Sequence, residues 1–423
     1  MISAMAGVSD QSSVLSFEEA RRVVEEHAAR VALPATEQLD LLAASGRVNA
    51  QPLLADRDIP PFPRSTRDGY ALQAASLSQI PAALHVIGEI KAGQKPDRLP
   101  SHVDSGQAVS IMTGAPVPTG ADAVVMVEYT SRQGDRVEVM KQVASGENIV
   151  PRGAEARQGA RLLDRGVRMD EAGIALAASI GKSKLEVYRR PRVAVLTTGD
   201  EIVGITETPG PTQIRNSNSY SLAAQILRAG AQPVLLPIAQ DDPEELRRLI
   251  DEALAFDLLM MTGGVSMGQY DLVEAVLTEM SAEFFFAGAK IQPGRPVVFG
   301  RCGAGASARV RPTYFFGLPG NPVSTMVTFE LFAKVMVEAL SGQKPRKLTF
   351  LHATLKTQIR FKPGLRRFLP AVLSGEFEDS QVELLPWQGS GDIATTARAN
   401  CYAVIPPNRE HIAAGERISV MMR

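Results

Sequence analysis

The stretch FDLLMMTGGVSMGQYDLVEAVLTEM, Phe256–Met280, joins an apolar run to an amphipathic one through a glycine turn. FDLLMMTG is almost continuously apolar, as a strand buried on both faces must be, and DLVEAVLTEM reads as a helix. Gly263 and Gly268 have the G-x-x-x-x-G spacing of a phosphate-cradling loop, but Gln269 and Tyr270 stand where that loop places Lys and Ser or Thr. The turn is a decayed nucleotide loop, a plain strand-to-helix connection, or an anion site of another kind. Its surroundings have to decide.

On its N-terminal side, RVAVLTTGDEI is a buried strand ending in a Thr-Gly-Asp turn, NSYSLAAQILRAGA a helix, QPVLLPIA a strand and DPEELRRLIDEALA a helix. On its C-terminal side come the strands EFFFAGAKI, RPVVFG and TYFFG, and the helix PVSTMVTFELFAKVMVEALSG. Strand–helix alternation with near-continuous apolar strands predicts a doubly wound α/β domain over 191–342, with a mostly parallel sheet covered on both faces. Further out, Ser16 and Glu19 make a capping box for a first helix in SFEEARRVVEEHAARV, and a short helix is expected around TEQLDLLAASG, ending at Gly46. From RDIPPFPRSTRDGYAL to about Gly146, short apolar runs alternate with Gly and Pro turns, which predicts a β-rich domain over 61–148. MDEAGIALAASIG is a helix with an acidic first turn and a glycine just past its end. After Gly342, QKPRKLTF leads into a last β-rich module, 343–423, whose core the lone Trp387 is expected to pack.

At 423 residues the chain is too long for one core, and about two to four domains are expected. With 45% hydrophobic and 22% charged residues and a net charge of -1, nothing global draws it to nucleic acid or an anionic membrane. Two cysteines, Cys302 and Cys401, lie far apart and fit free thiols in a reducing compartment; the five histidines have no zinc-ligand spacing. The start lacks a basic segment followed by an apolar core, and no later apolar run approaches the roughly 20 residues of a membrane span. The chain is expected to be soluble and cytoplasmic, with no nucleic-acid or membrane partner.

In an open α/β sheet, ligands sit outside the carboxyl ends of the strands, where strand order reverses. Four loops fall there: TTGDEI (Thr197–Ile202), AQDDPEE (Ala239–Glu245), TGGVSMGQYD (Thr262–Asp271) and LPGNPVS (Leu318–Ser324). Thr198, Gly199, Gly263, Gly264, Gly268, Pro319, Gly320 and Asn321 let backbone N–H groups approach an anion, with Thr262 and Ser266 as further donors. The carboxylates of Asp200, Glu201, Asp241, Asp242 and Asp271 gather at the same edge, where they would repel a phosphate unless a divalent cation such as Mg²⁺ lay between. Asp242, before Pro243, reads better as a helix cap; Glu201 and Asp271 read as metal or ligand residues. Arg295, in the rigid Pro-Gly-Arg-Pro turn, is placed to take an oxyanion bidentately. Asp68 and Thr113 each sit in a sharp Gly-bearing turn, which alone is turn chemistry.

Taken together, PPFPRSTRDGYAL, IMTGAPVPTGADAVVMVE, RRPRVAVLTTGDEI, TGGVSMGQYD, IQPGRPVVFG and GLPGNPVSTMVTF resemble, in order and over nearly the whole chain, the molybdopterin molybdenumtransferases. The E domain of the animal scaffold protein gephyrin carries the same module. The resemblance implies an elongated homodimer of four-domain subunits. Its first domain would be discontinuous (15–60 and 149–190), its α/β domain similar to the molybdopterin adenylyltransferase fold, and its last domain a small β-barrel. It also implies a reaction in which adenylyl-molybdopterin and molybdate give AMP and molybdenum on the pterin dithiolene, with Mg²⁺ assisting. The opening loop would then bind a phosphorylated pterin nucleotide, and no P-loop lysine is expected. Glu201, Asp241 and Asp271 match acidic site positions, Glu201 and Asp271 as metal ligands. Asp68 and Thr113 match residues offered from the second subunit, and Arg295, Pro296, Ser324 and Ser390 match the region proposed to hold molybdate. The adenylyltransferase and molybdoenzyme maturation factors are the candidate protein partners.

The chain departs from the family pattern at Arg67, where Met is frequent, at Gln292 and Arg295, where lysines are common, and at Ala154-Glu155. GLRRFLPA leaves the C-terminal arginine contact open between Arg366 and Arg367. Two rivals are an adenylyltransferase or nucleotide pyrophosphatase, which gives the DGYA and MTGAP turns no role, and a non-catalytic scaffold, which does not need Glu201 and Asp271.

Overall fold

The computed structural model describes residues 14–94, 100, 102–264, 272–303, 312–344 and 346–423. Ser266, Gly268 and Asp271 lie outside the described residues. The α/β unit is built on a sheet of six strands: β1 (Arg192–Thr197), β2 (Gln232–Leu235), β3 (Leu258–Thr262), β4 (Glu283–Phe286), β5 (Val298–Cys302) and β6 (Thr313–Leu318). Their order is β2-β1-β3-β6-β5-β4. β1 pairs in parallel with β2 and β3, and β3 with β6, whereas β5 runs antiparallel to β4 and β6. The chain leaves β1 for β2 on one side and returns across to β3 on the other. Strand order therefore reverses between β1 and β3, which opens a crevice at their carboxyl ends.

The apolar runs in these strands are explained by burial on both faces. Val193, Val195, Leu258 and Met260 face one core with Leu222 and Ile226 of helix α1 (Asn218–Ala229). Ala194, Leu196, Leu259 and Met261 face the other, with Leu246, Leu249 and Ile250 of α2 (Pro243–Ala253) and Val273, Val276 and Leu277 of α3 (Leu272–Glu279). Each fully buried Leu, Val or Met contributes about 1.5–3 kcal/mol. After β6 the chain enters α4 (Pro322–Thr328), which passes through a π-type turn (Phe329–Ala333) into α5 (Lys334–Leu340).

The helix Phe17–Ala28 starts with the capping box expected from Ser16 and Glu19. Its apolar side (Phe17, Ala20, Val24, Ala28) joins the core that α4 and α5 also line. The segment TEQLDLLAASG corrects the helix expected there. Thr36–Asp40 is a strand paired antiparallel with Lys184–Tyr188, followed by a 3-10 turn (Leu41–Ala44) and Gly46 at φ +72°. Thr36–Asp40 alternates exposed and half-buried residues, a two-residue period, and a partner strand far along the chain settles the choice. Residues on both sides of the β-rich segment share one core, which contains Ala44, Leu53, Met169, Ala177 and Val187.

The β-rich segment forms a six-stranded sheet in the order Ala123–Met126, Gly69–Leu72, Gln107–Ile111, Ala82–Ile90, Arg136–Val139, Thr130–Gln133. At the C-terminal end, Arg366–Ser374 pairs with both Gln381–Leu384 and Cys401–Ile405, which closes a five-stranded barrel through Leu351–Leu355 and Arg417–Met422. Trp387 is half-buried against this barrel's core and the α/β core. Cys302 and Cys401 are buried free thiols, each pushed up to about 11 by burial. No helix among the described residues is long and apolar enough to cross a membrane.

Candidate functional site

The loops that follow β1, β2, β3 and β6 are stitched together at the crevice. The Thr198 N–H donates to the Thr262 carbonyl (3.0 Å) and the Gly199 N–H to the Ala239 carbonyl (3.2 Å). Gly263, at φ +89°, lies so close to the β1 loop that a Cβ would stand 2.2 Å from the Thr198 carbonyl oxygen. A Cβ on Gly264 would stand 2.8 Å from Thr198 Oγ1, and one on Gly320 would stand 3.5 Å from Gly263 Cα. Side chains larger than hydrogen are excluded at Gly263 by contact and by conformation together. Thr198, Gly263, Gly264 and Gly320 therefore meet, with Pro319 and Asn321 flanking.

A buried polar layer underlies these loops. Thr262 Oγ1 donates to the Pro319 carbonyl (3.3 Å), and Thr325 Oγ1 donates to the Pro319 and Asn321 carbonyls. Asn218 Nδ2 donates to Thr262 Oγ1 (2.9 Å) and to the Gly320 carbonyl (2.7 Å). Thr197 Oγ1 lies 2.7 Å from Ser219 Oγ, and the Ser219 N–H donates to Asn216 Oδ1 (3.1 Å). Asn216, Asn218 and Ser219 are absent from the residues singled out by sequence. The signal available was IRNSNSY, a run carrying more donors and acceptors than a helix start needs. Thr198 Oγ1 and Asn218 Oδ1 are buried and have no hydrogen-bond partner among the described residues, which marks both atoms for attention.

The acidic side is formed by Asp200, Glu201 and Asp241, all exposed. The Asp241 N–H donates to Asp200 Oδ1 (3.0 Å), and Glu201 folds back over Gly199, where a Cβ would stand 2.5 Å from its Oε2. Partial burial holds the Asp241 carboxyl above its ordinary range, and the negative charges of Asp200 and Glu201 add to this. Asp242 accepts from the Glu245 N–H (2.8 Å) and caps α2, the structural role expected of it. Among the described residues, no three His, Cys, Asp or Glu side chains are grouped to hold a metal ion by themselves.

A second constellation lies at the start of α4. Gln292–Pro293 is cis, and Gly294, at φ +102°, packs so that a Cβ would stand 2.4 Å from Thr328 Cγ2 and 3.5 Å from the Ser324 carbonyl. The Pro-Gly-Arg-Pro turn is thereby seated on α4, next to buried Ser324. The Val323 N–H donates to the Ser390 carbonyl (2.9 Å), which brings the GSG turn to the same helix start. Arg295 is exposed and Pro296 half-buried. The two barrel arginines part company. Arg367, buried, donates to Gln292 Oε1 (2.8 Å) beside the turn, whereas Arg366 pairs with Glu18 and lies over the Phe17 ring.

Asp68 and Thr113 form a third group. Asp68 Oδ1 accepts from the Thr113 N–H (2.6 Å) and its hydroxyl (2.8 Å), and these two bonds, the backbone one foremost, hold the Asp68 carboxyl below its ordinary range. Gly69 next to it admits no side chain, since a Cβ would stand 1.8 Å from the Val125 carbonyl oxygen. Both residues are exposed, and among the described residues no hydrogen bond or ion pair joins this turn to the α/β unit.

Residues 15–181 match the MoeA N-terminal region (domain I and II), residues 194–339 a probable molybdopterin binding domain, and residues 352–422 the MoeA C-terminal region (domain IV). The chain is 33% identical over 400 residues to a molybdopterin molybdenumtransferase of Nostoc sp., covering 91% of this chain and 88% of the relative. It is 30% identical over 397 residues to one of Bacillus subtilis, covering 92% and 90%. The crystal structure of a molybdopterin biosynthesis moeA protein from Pyrococcus horikoshii OT3 superposes with a TM-score of 0.76 at 26% identity, covering 97% of this chain and all (100%) of that one.

Proposed function

The chain belongs to the MoeA family of molybdenum cofactor biosynthesis proteins, and on that premise we propose that it is a molybdopterin molybdenumtransferase acting on adenylyl-molybdopterin. In this reading it cleaves the substrate's pyrophosphate, releases AMP and leaves molybdenum, taken from molybdate, on the pterin dithiolene. The observation that carries the reading is the meeting of Thr198, Gly263 and Gly320 at the strand-reversal crevice, with Asp200, Glu201 and Asp241 beside them. Glycine-lined backbone supplies the anion cradle, and the adjoining carboxylates supply a place for a cation between themselves and a pyrophosphate.

Oxygen donors that lack a counter-charge suit Mg²⁺, which takes one or two carboxylates and completes its shell with water and phosphate oxygens. Glu201 and Asp271 are the residues proposed to hold it; when bound, it neutralises charge developing on the leaving phosphate. Asp241, whose carboxyl is held above its ordinary range, favours the protonated form more than an ordinary aspartate does and gains from nearby positive charge. Thr262, Ser266 and Gly268 complete the nucleotide cradle with Gly199, Gly264, Pro319 and Asn321. Arg295, Pro296, Ser324 and Ser390 are proposed to receive molybdate, Arg295 by a bidentate contact that the rigid turn pre-aims.

Asp68 and Thr113, in the β-rich segment, are proposed to complete the crevice of a second copy of the chain, so the working form is a homodimer. The adenylyltransferase that makes the substrate and maturation factors that take up the product are the proposed partners. The test is AMP release from adenylyl-molybdopterin with and without molybdate. Molybdate-dependent release is the expected result. Release without molybdate would mark a pyrophosphatase, and no release would mark a scaffold.

A further inference from the structure

We infer that Asn218 is a positioning residue that sets the spacing of the two glycine turns across the crevice; the inference rests on the functional reading above only for what those turns bind. Its side chain is 8% exposed, and its one amide nitrogen donates both to Thr262 Oγ1 at the end of β3 and to the Gly320 carbonyl at the start of the β6 loop. Thr262 Oγ1 also joins the two loops directly, through the Pro319 carbonyl, and Asn218 ties both together from a third element. Both donors of the amide are consumed in this way, and Oδ1 is buried without a partner among the described residues. The orientation of the amide follows from chemistry. Turning it over would set Oδ1 against the Gly320 carbonyl, acceptor to acceptor, which is worse than an unpaired oxygen. Within the described residues the amide therefore spends both its donors on the two loops. That is reasonable only if the separation of the Gly263 and Gly320 turns matters, and these turns already approach to within a methyl group of each other.

The requirement for donors separates this role from simple packing. Asn218→Leu keeps the volume and loses both donors without burying a charge; Asn218→Ala loses the volume as well. If the residue only fills space, the leucine variant should behave like wild type and the alanine variant should not. If it positions the turns, the two variants should be impaired alike, because neither side chain donates. Backbone hydrogen exchange in 262–264 and 318–321 is the primary measurement, on the full chain with thermal unfolding as a check on folding. Faster exchange than wild type at both segments in both variants is expected. Binding of AMP with Mg²⁺ is the second, with affinity lowered roughly tenfold in Asn218→Leu. Unchanged exchange at either turn in Asn218→Leu, or an alanine variant clearly worse than the leucine one, would overturn the inference. If the wild-type chain binds no AMP, the proposed substrate is at fault, and the exchange data still judge Asn218.

Discussion

At the scale of single residues, the acidic side of the crevice gathers negative charge that a cation is proposed to offset. Asp241 is unusual for an aspartate because its carboxyl is held high in the folded chain, by burial first and then by Asp200 and Glu201. The sign of its effect on stability follows. Folding favours its protonated form, so the metal-free chain gains stability as pH falls through the raised folded value and loses it again as pH rises. Asp241→Asn should therefore raise the melting temperature slightly in EDTA at pH 7.5 and remove the part of its pH dependence that sets in as the pH falls towards the carboxylate range; a lowered melting temperature at pH 7.5 would show that the carboxylate is stabilised by something else. Glu201→Gln should cut AMP release by roughly two to three orders of magnitude, the usual cost of removing a positioned charge-stabilising group. Activity within a few-fold of wild type would remove Glu201 from the mechanism. Arg295→Ala should raise the molybdate needed for half-maximal turnover by about tenfold or more and leave nucleotide affinity nearly unchanged, with Arg295→Lys recovering only part. Weakened nucleotide binding with unaltered molybdate dependence would instead assign the arginine to the phosphates.

At the scale of elements, the packing of one turn on one helix decides whether Arg295 is aimed. Gly294 combines φ +102° with a contact that leaves a Cβ 2.4 Å from Thr328 Cγ2, so Gly294→Ala should lose about 1–2 kcal/mol through backbone strain alone. It should also reproduce the molybdate defect of Arg295→Ala although the arginine is still present, and a molybdate titration of both variants checks this. Elements of this kind were partly legible in the sequence. The buried strands were legible because their two-sided burial writes an uninterrupted apolar run, and the Ser16–Glu19 cap because its spacing is local. Thr36–Asp40 was not, since Leu39, Leu41 and Leu42 fit a helical stripe as well as a strand edge, and the pairing with Lys184–Tyr188 lies beyond any local window. Asn218 was passed over for a related reason. As the first residue of α1 it looks like capping chemistry, and only the fold brings it under both Thr262 and Gly320. The acidic cluster could be foreseen from strand ends and loop composition, whereas the separation of Arg366 from Arg367 depended on which of them reaches Gln292.

At the scale of the whole molecule, the Asp68–Thr113 turn and the acidic crevice lie in different units of the chain, and the reading puts both to work on one substrate. That is the central claim, and it requires two copies, each lending its β-rich turn to the other's crevice. The most direct measurement is to mix inactive Asp68→Ala with inactive Glu201→Gln, verify subunit exchange with two affinity tags, and assay molybdate-dependent AMP release. In a heterodimer one crevice then carries both defects and the other carries none. At equal mixing half the dimers are mixed and half the sites in those are intact, so about a quarter of wild-type activity should return. Activity that stays at the level of the separate variants after verified exchange would contradict the composite site.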